Sequence, residues 1–158
     1  MLRAFAELLK HRPAKLIILG DGPLRSELLD LTSQLQLDEH VAFPGFVPDI
    51  APFLAKADVF ALSSLWEGFG NVLVQALGAG RSIVSTDCPN GPSEILGRGE
   101  FGSLVPVGDH QAFSKALDQA IQQPSDPIRQ RERAAHFSVQ KSADAYEVLF
   151  GELLAKAS

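Results

Sequence analysis

Short runs of β-branched and aliphatic residues alternate with longer amphipathic stretches along most of this chain of 158 residues, and that alternation restricts the possible fold more than any other feature. The runs are Lys15–Leu19, His40–Phe43, Asp58–Ser63, Ser82–Thr86 and Ser103–Val107, each closing near Gly, Pro, Ser or Asp, as buried strands do. Between them, Leu24–Leu37, Asp49–Lys56, Asn71–Ala79 and Gln111–Gln122 carry a helical period. Strand, helix, strand at this spacing means βαβ units, and so an α/β fold with a doubly wound parallel sheet covered on both faces. Phe5, Leu8 and Leu9 place a helix ahead of the first strand. Two more helices follow the last strand, at Pro127–His136 and Ser138–Ala157, the second with Tyr146, Leu149, Phe150, Leu153 and Leu154 on one stripe. The Gln-Gln-Pro-Ser-Asp-Pro stretch at 122–127 is a loop too short to link domains, so residues 1–158 read as a single domain without repeats.

Composition narrows the function. With 46% apolar and 21% charged residues the chain matches ordinary globular proteins, and its net charge of −5 gives no general attraction for nucleic acid. The single cysteine, Cys88, cannot form an internal disulfide and has no His or Lys nearby in sequence to make it a thiolate, so it reads as inert. Four scattered histidines offer no zinc spacing, and no stretch approaches the ~20 apolar residues of a transmembrane segment. The N-terminus mixes its charges into a helical period, unlike a signal peptide, so the expected location is cytoplasmic.

In an open doubly wound sheet, ligands sit outside the carboxyl ends of the strands, which directs attention to three strand-to-helix turns. Gly20-Asp21-Gly22-Pro23 follows the first strand; its glycines permit a tight turn, but a dinucleotide fingerprint would need a third glycine where Arg25 stands. Ser63-Ser64-Leu65-Trp66-Glu67-Gly68-Phe69-Gly70-Asn71 follows the third. Two glycines before a helix N-terminus let backbone N–H groups approach an anion such as a diphosphate. Thr86-Asp87-Cys88-Pro89-Asn90-Gly91-Pro92-Ser93-Glu94 follows the fourth as a long polar turn able to line the same cleft. On composition alone Glu67 is equally a solvated loop carboxylate or a helix cap, and Trp66 reads as a packing residue.

Taken in order, these turns resemble the C-terminal half of the retaining GT-B fold glycosyltransferases, the group 1 family of bacterial polysaccharide and lipopolysaccharide enzymes. The matching stretches are Lys15-Leu-Ile-Ile-Leu-Gly-Asp-Gly-Pro23, Val41-Ala-Phe-Pro-Gly-Phe-Val47, Ala57-Asp-Val-Phe-Ala-Leu-Ser-Ser64, Glu67-Gly-Phe-Gly-Asn-Val-Leu-Val-Gln-Ala76 and Ser85-Thr-Asp-Cys-Pro-Asn-Gly-Pro-Ser-Glu-Ile-Leu96. Phe137-Ser138 with Tyr146 resembles that fold's closing helix. The resemblance implies a Rossmann-like nucleotide-sugar-binding domain, with a UDP-sugar as the expected donor and a glycan or lipid-linked molecule as acceptor. It implies that Glu67, as the catalytic residue, contacts the donor sugar hydroxyls, and that Gly20, Gly22 and the backbone of Gly68, Phe69, Gly70, Asn71 and Val72 line the donor site. Phe46 and Val47 would lie beside the base. Family members often carry a second Glu after seven intervening residues, where it binds both ribose hydroxyls; here that residue is Gln75, which loses the charge-assisted bond. No cofactor and no metal are expected, in keeping with the lack of an Asp-X-Asp pair.

The resemblance also implies a strand ending in Gly-Arg, a loop Lys and a whole N-terminal acceptor domain ahead of the helix at Leu2–Lys10, with which this chain begins. Since preorganised cations stabilise the departing diphosphate, the expectation for this chain alone is little or no transfer. A noncatalytic nucleotide-sugar binding or assembly module is the alternative, and a nicotinamide-binding domain is disfavoured by Arg25. A full-length enzyme of this family also leaves room for membrane association. Without the central strand, Lys15–Leu19 and Asp58–Ser63 would face an empty slot, to be resolved by closure of the sheet or by association. Association is the expected outcome, as a homo-oligomer, because Phe5, Leu8 and Leu9 would offer an apolar surface.

Overall fold

A computed structural model describes residues 1–157. Five strands form, β1 (Leu16–Leu19), β2 (Val41–Gly45), β3 (Val59–Leu62), β4 (Ser82–Thr86) and β5 (Ser103–Val105). The helices are α1 (Leu2–Leu9), α2 (Arg25–Gln34), α3 (Ala51–Lys56), α4 (Asn71–Gly78), α5 (Pro92–Ile95), α6 (His110–Gln122), α7 (Pro127–Ala135) and α8 (Val139–Ala157). Each element read from the periodicity is present within a few residues. The short α5 and the 3₁₀ turn Gly97–Gly99 were not anticipated; they fold up the end of what reads in sequence as one long polar turn.

All strand pairing is parallel, in two pieces: β1 with β2, and β3 with β4 with β5. Among the described residues no ladder joins β1 to β3. The two pieces nonetheless share one core, in which Leu16 and Ile18 of β1 and Val59 and Ala61 of β3 pack with Leu2, Phe5 and Leu8 of α1 and with Phe113, Ala116 and Leu117 of α6. Helix α2 lies on this same face through Leu28 and Leu31, whereas α4 buries Leu73, Ala76 and Leu77 on the opposite face. Right-handed crossovers require this: β1–α2–β2 and β3–α4–β4 step away from the β1/β3 junction in opposite directions, so their helices fall on opposite faces. The junction is therefore a topological switch point, where the turns leaving β1 and β3 diverge.

Helix α1 departs from expectation in one respect. It does not present Phe5 and Leu8 to solvent; both are buried against α6, and the Arg12–Asp118 ion pair fastens the end of α1 to that helix. An exposed apolar stripe lies instead on α8, where Tyr146, Leu149, Phe150, Leu153 and Leu154 all stand outside the core. No described helix is long and apolar enough to cross a membrane.

Candidate functional site

The turn after β3 is built from hydroxyls outward. Thr86, buried at the end of β4, donates its hydroxyl to the Ser64 carbonyl at 2.6 Å, and the Ser64 hydroxyl donates to Oε1 of Glu67, also at 2.6 Å. A relay from the central strand thus fixes a half-buried carboxylate. The Glu67 N–H donates to the Pro89 carbonyl at 3.3 Å, joining this turn to the one after β4.

Two glycines are required here. Gly70 takes φ +93° as the residue before α4, a left-handed conformation that lets the chain enter the helix directly from the turn. Gly91 takes φ +90°, and a Cβ there would stand 1.7 Å from the Phe69 carbonyl oxygen. The two turns therefore meet backbone to backbone, and any side chain at residue 91 would force them apart. Behind them α4 begins at Asn71; the Leu73 N–H donates to the Gly70 carbonyl at 2.9 Å, while the N–H groups of Asn71 and Val72 have no preceding helical turn to accept them, which gives this end of the helix a partial positive charge. Asn71 and Gln75, one helical turn apart, share its exposed side.

The turn after β1 is a second group. The Gly20 N–H donates to the Gly45 carbonyl at 2.8 Å, which sets Gly20 beside Phe46, and the Gly22 N–H donates to Oδ1 of Asp21 at 2.8 Å. Phe46 is 78% exposed and Val47 half-buried. Arg25, where a dinucleotide fingerprint would place glycine, donates to the Phe43 carbonyl at 3.2 Å with its guanidinium 6.0 Å from the Phe43 ring, pinning α2 to β2.

The structure thus brings Glu67, Gly68, Phe69, Gly70, Asn71, Val72 and Gln75 together on one side of the switch point, and Gly20, Gly22, Phe46 and Val47 on the other. No hydrogen bond, ion pair or ring contact joins the two groups among the described residues. Trp66 departs from its reading as a packing residue: it is 74% exposed, whereas its neighbour Glu67 is half-buried. Cys88 is buried, as expected of an inert thiol. Sequence reasoning did not single out Ser64 and Thr86; their signal was a hydroxyl at the carboxyl end of a strand beside a carboxylate-bearing turn. No cluster of three or more His, Cys, Asp or Glu that could hold a metal ion occurs among the described residues.

Residues 1–123 match the family described as Glycosyl transferases group 1. The chain belongs to that family. It is 36% identical over 158 residues to the Campylobacter jejuni N-acetylgalactosamine-N,N'-diacetylbacillosaminyl-diphospho-undecaprenol 4-alpha-N-acetylgalactosaminyltransferase, covering 96% of this chain and 42% of that protein. It is 33% identical over 162 residues to the N-acetyl-alpha-D-glucosaminyl L-malate synthase of Bacillus anthracis, covering 98% of this chain and again 42% of the relative. The chain therefore spans about two fifths of the length of these relatives. The fold agrees: the pneumococcal O-GlcNAc transferase GtfA, solved with UDP and GlcNAc, superposes with a TM-score of 0.83 at 22% identity, over 97% of this chain and 32% of that one. A Rickettsia africae glycosyltransferase superposes with a TM-score of 0.87 at 18% identity, over 97% of this chain and 43% of its own.

Proposed function

We propose that the chain is the donor-binding half of a retaining glycosyltransferase and that its ligand is a nucleotide sugar, with UDP as the carrier. The observation that carries this reading is the fixed carboxylate of Glu67 standing beside the N-terminus of α4. A carboxylate accepts hydrogen bonds from sugar hydroxyls, while the N–H groups and dipole of a helix N-terminus stabilise the negative charge of a diphosphate, most of all as it departs. Glu67 then orients the sugar, the backbone from Gly68 to Val72 faces the diphosphate, Gln75 accepts from a ribose hydroxyl, and Gly20, Gly22, Phe46 and Val47 flank the base across the switch point. No metal is needed for donor cleavage in this scheme. Because the chain spans about two fifths of its relatives, acceptor binding is assigned to polypeptide outside residues 1–158 and this chain alone is expected to transfer little or no sugar.

The test is a titration with UDP followed by amide chemical shifts. The expected shifts centre on Phe46, Glu67 and Gly70, and Glu67→Ala should weaken binding of a UDP-sugar more than binding of UDP, since its partner is the sugar. Shifts confined to other parts of the molecule would overturn the site, and equal weakening of both ligands would remove Glu67 from contact with the sugar.

A further inference from the structure

Helix α7 lies outside the three turns that mark the site, yet Arg133 on the helix and Phe137, two residues beyond its end, reach both of the site's turns. Arg133 donates through Nε to the Ile95 carbonyl at 2.8 Å and through a terminal nitrogen to the Glu94 carbonyl, holding the end of the turn after β4. Its guanidinium lies over two rings, 5.2 Å from the centroid of Phe101 and 4.9 Å from that of Phe137. Phe137 in turn meets Phe69 edge to face, with centroids 5.7 Å apart. Phe69 is the residue whose carbonyl closes against Gly91.

These contacts form a closed circuit: Arg133 to Glu94 and Ile95, back along the turn to Gly91, across to Phe69, on to Phe137, and home to Arg133. We propose that Arg133 and Phe137 are positioning residues that set the spacing between the two turns of the donor site, and so the aim of the Gly68–Asn71 backbone. The proposal rests on the nucleotide-sugar reading. Arg133 has the chemistry the position needs. A planar guanidinium can donate to two adjacent carbonyls in its own plane while offering both faces to aromatic rings, which the single ammonium of Lys cannot do. Arg129, whose guanidinium sits 5.1 Å from the Phe101 ring and pairs with Glu100, supports the same ring from the outer side but reaches neither turn.

The experiment compares Arg133→Lys, Arg133→Met and Phe137→Leu with the unaltered chain by amide chemical shifts and UDP-sugar affinity. With Arg133→Met, shift changes should reach Phe69 and Gly91, neither of which shares a hydrogen bond or ring contact with Arg133, while β1 and β2 stay unchanged. Affinity should fall roughly ten- to a hundredfold, the scale on which slight misplacement degrades a site from a distance. Arg133→Lys should recover part of that loss, and methylguanidinium added to Arg133→Met should restore more of it than added methylammonium does. A merely structural role would not produce that difference, because both additives are simple cations. If Phe69 and Gly91 do not shift in Arg133→Met, or if changes spread evenly into β1 and β2, the positioning role is wrong. If the unaltered chain binds no UDP-sugar while Phe69 and Gly91 still shift, the circuit stands and the nucleotide-sugar reading fails.

Discussion

Strands β1 and β4 show how little hydrophobicity alone decides burial. Leu-Ile-Ile-Leu of β1 is entirely apolar, yet none of its residues is fully buried and Ile17 is 50% exposed. Ser-Ile-Val-Ser-Thr of β4 carries three hydroxyls, and all five residues are buried. The difference is position. Strand β4 has β3 on one side and β5 on the other, with α4 below and α6 above, whereas among the described residues β1 has a ladder only to β2. Burial of the hydroxyls is tolerated because all three are hydrogen-bonded. Ser82 accepts from the Ser125 N–H at 2.9 Å, Ser85 donates to the Thr86 carbonyl at 3.0 Å, and Thr86 supports Ser64. The well-enclosed piece of sheet also carries the fixed carboxylate, while the open piece carries the exposed Phe46.

The most direct way to break this contrast is to cut one side chain from each piece. Leu77 of α4 is fully buried against the β3–β4–β5 piece, and Leu77→Ala should cost about 2–5 kcal/mol, the range for a core leucine whose cavity cannot collapse. Ile17→Ala should cost less than about 1 kcal/mol, since half its surface already meets water. Denaturant unfolding measures both. Similar losses would mean that the outer side of β1 is covered in solution and that the two pieces are equivalent.

The sequence makes the elements legible because strand and helix periods are local properties. The split of the sheet into two pieces was legible only through family resemblance, which puts a central strand between β1 and β3. The turns were equally plain as glycine-bearing strand ends, and Gly70 and Gly91 owe their roles to backbone geometry that few other residues can adopt. Contacts made across long separations were not legible. Arg133 meets Glu94 and Ile95 from 38 or more positions away, and Thr86 meets Ser64 across 22; neither spacing leaves a periodic trace. Trp66 illustrates the reverse error, since a large aromatic side chain suggests packing until the turn that holds it is seen to face outward.

Amide exchange sharpens the contrast at single residues. Amides of β4 should exchange at the slowest rates in the molecule, and those of β1 and β3 at least about tenfold faster, because local opening is easier where a strand lacks a neighbour on one side. Repeating the measurement over a range of concentrations, with light scattering alongside, examines the homo-oligomer proposal. Protection of β1 and β3 that rises together with mass would mean that a second copy covers their free edges. A monomer with the same rapid exchange at every concentration would reject association as the way this sheet is completed.

The smallest expected effect concerns how the two pieces share one ligand. In the proposed site the base lies by Phe46 on the open piece and the ribose by Gln75 on the enclosed one. A neutral amide accepts a hydroxyl hydrogen bond more weakly than a carboxylate by about 1 kcal/mol, so Gln75→Glu should tighten UDP by roughly fivefold. The gain depends on ribose hydroxyls, so a deoxyribose analogue of UDP should gain less. Gln75 is exposed on the same side of α4 as Asn71, and the added charge stands one turn into the helix, close enough to repel a diphosphate bound at its N-terminus. That repulsion acts equally on both ligands, so the difference between them isolates the ribose bond. Calorimetry on the pair reads it directly: equal changes for UDP and its deoxy analogue would take the ribose away from Gln75. The nucleotide would then bridge the two pieces by some route other than α4.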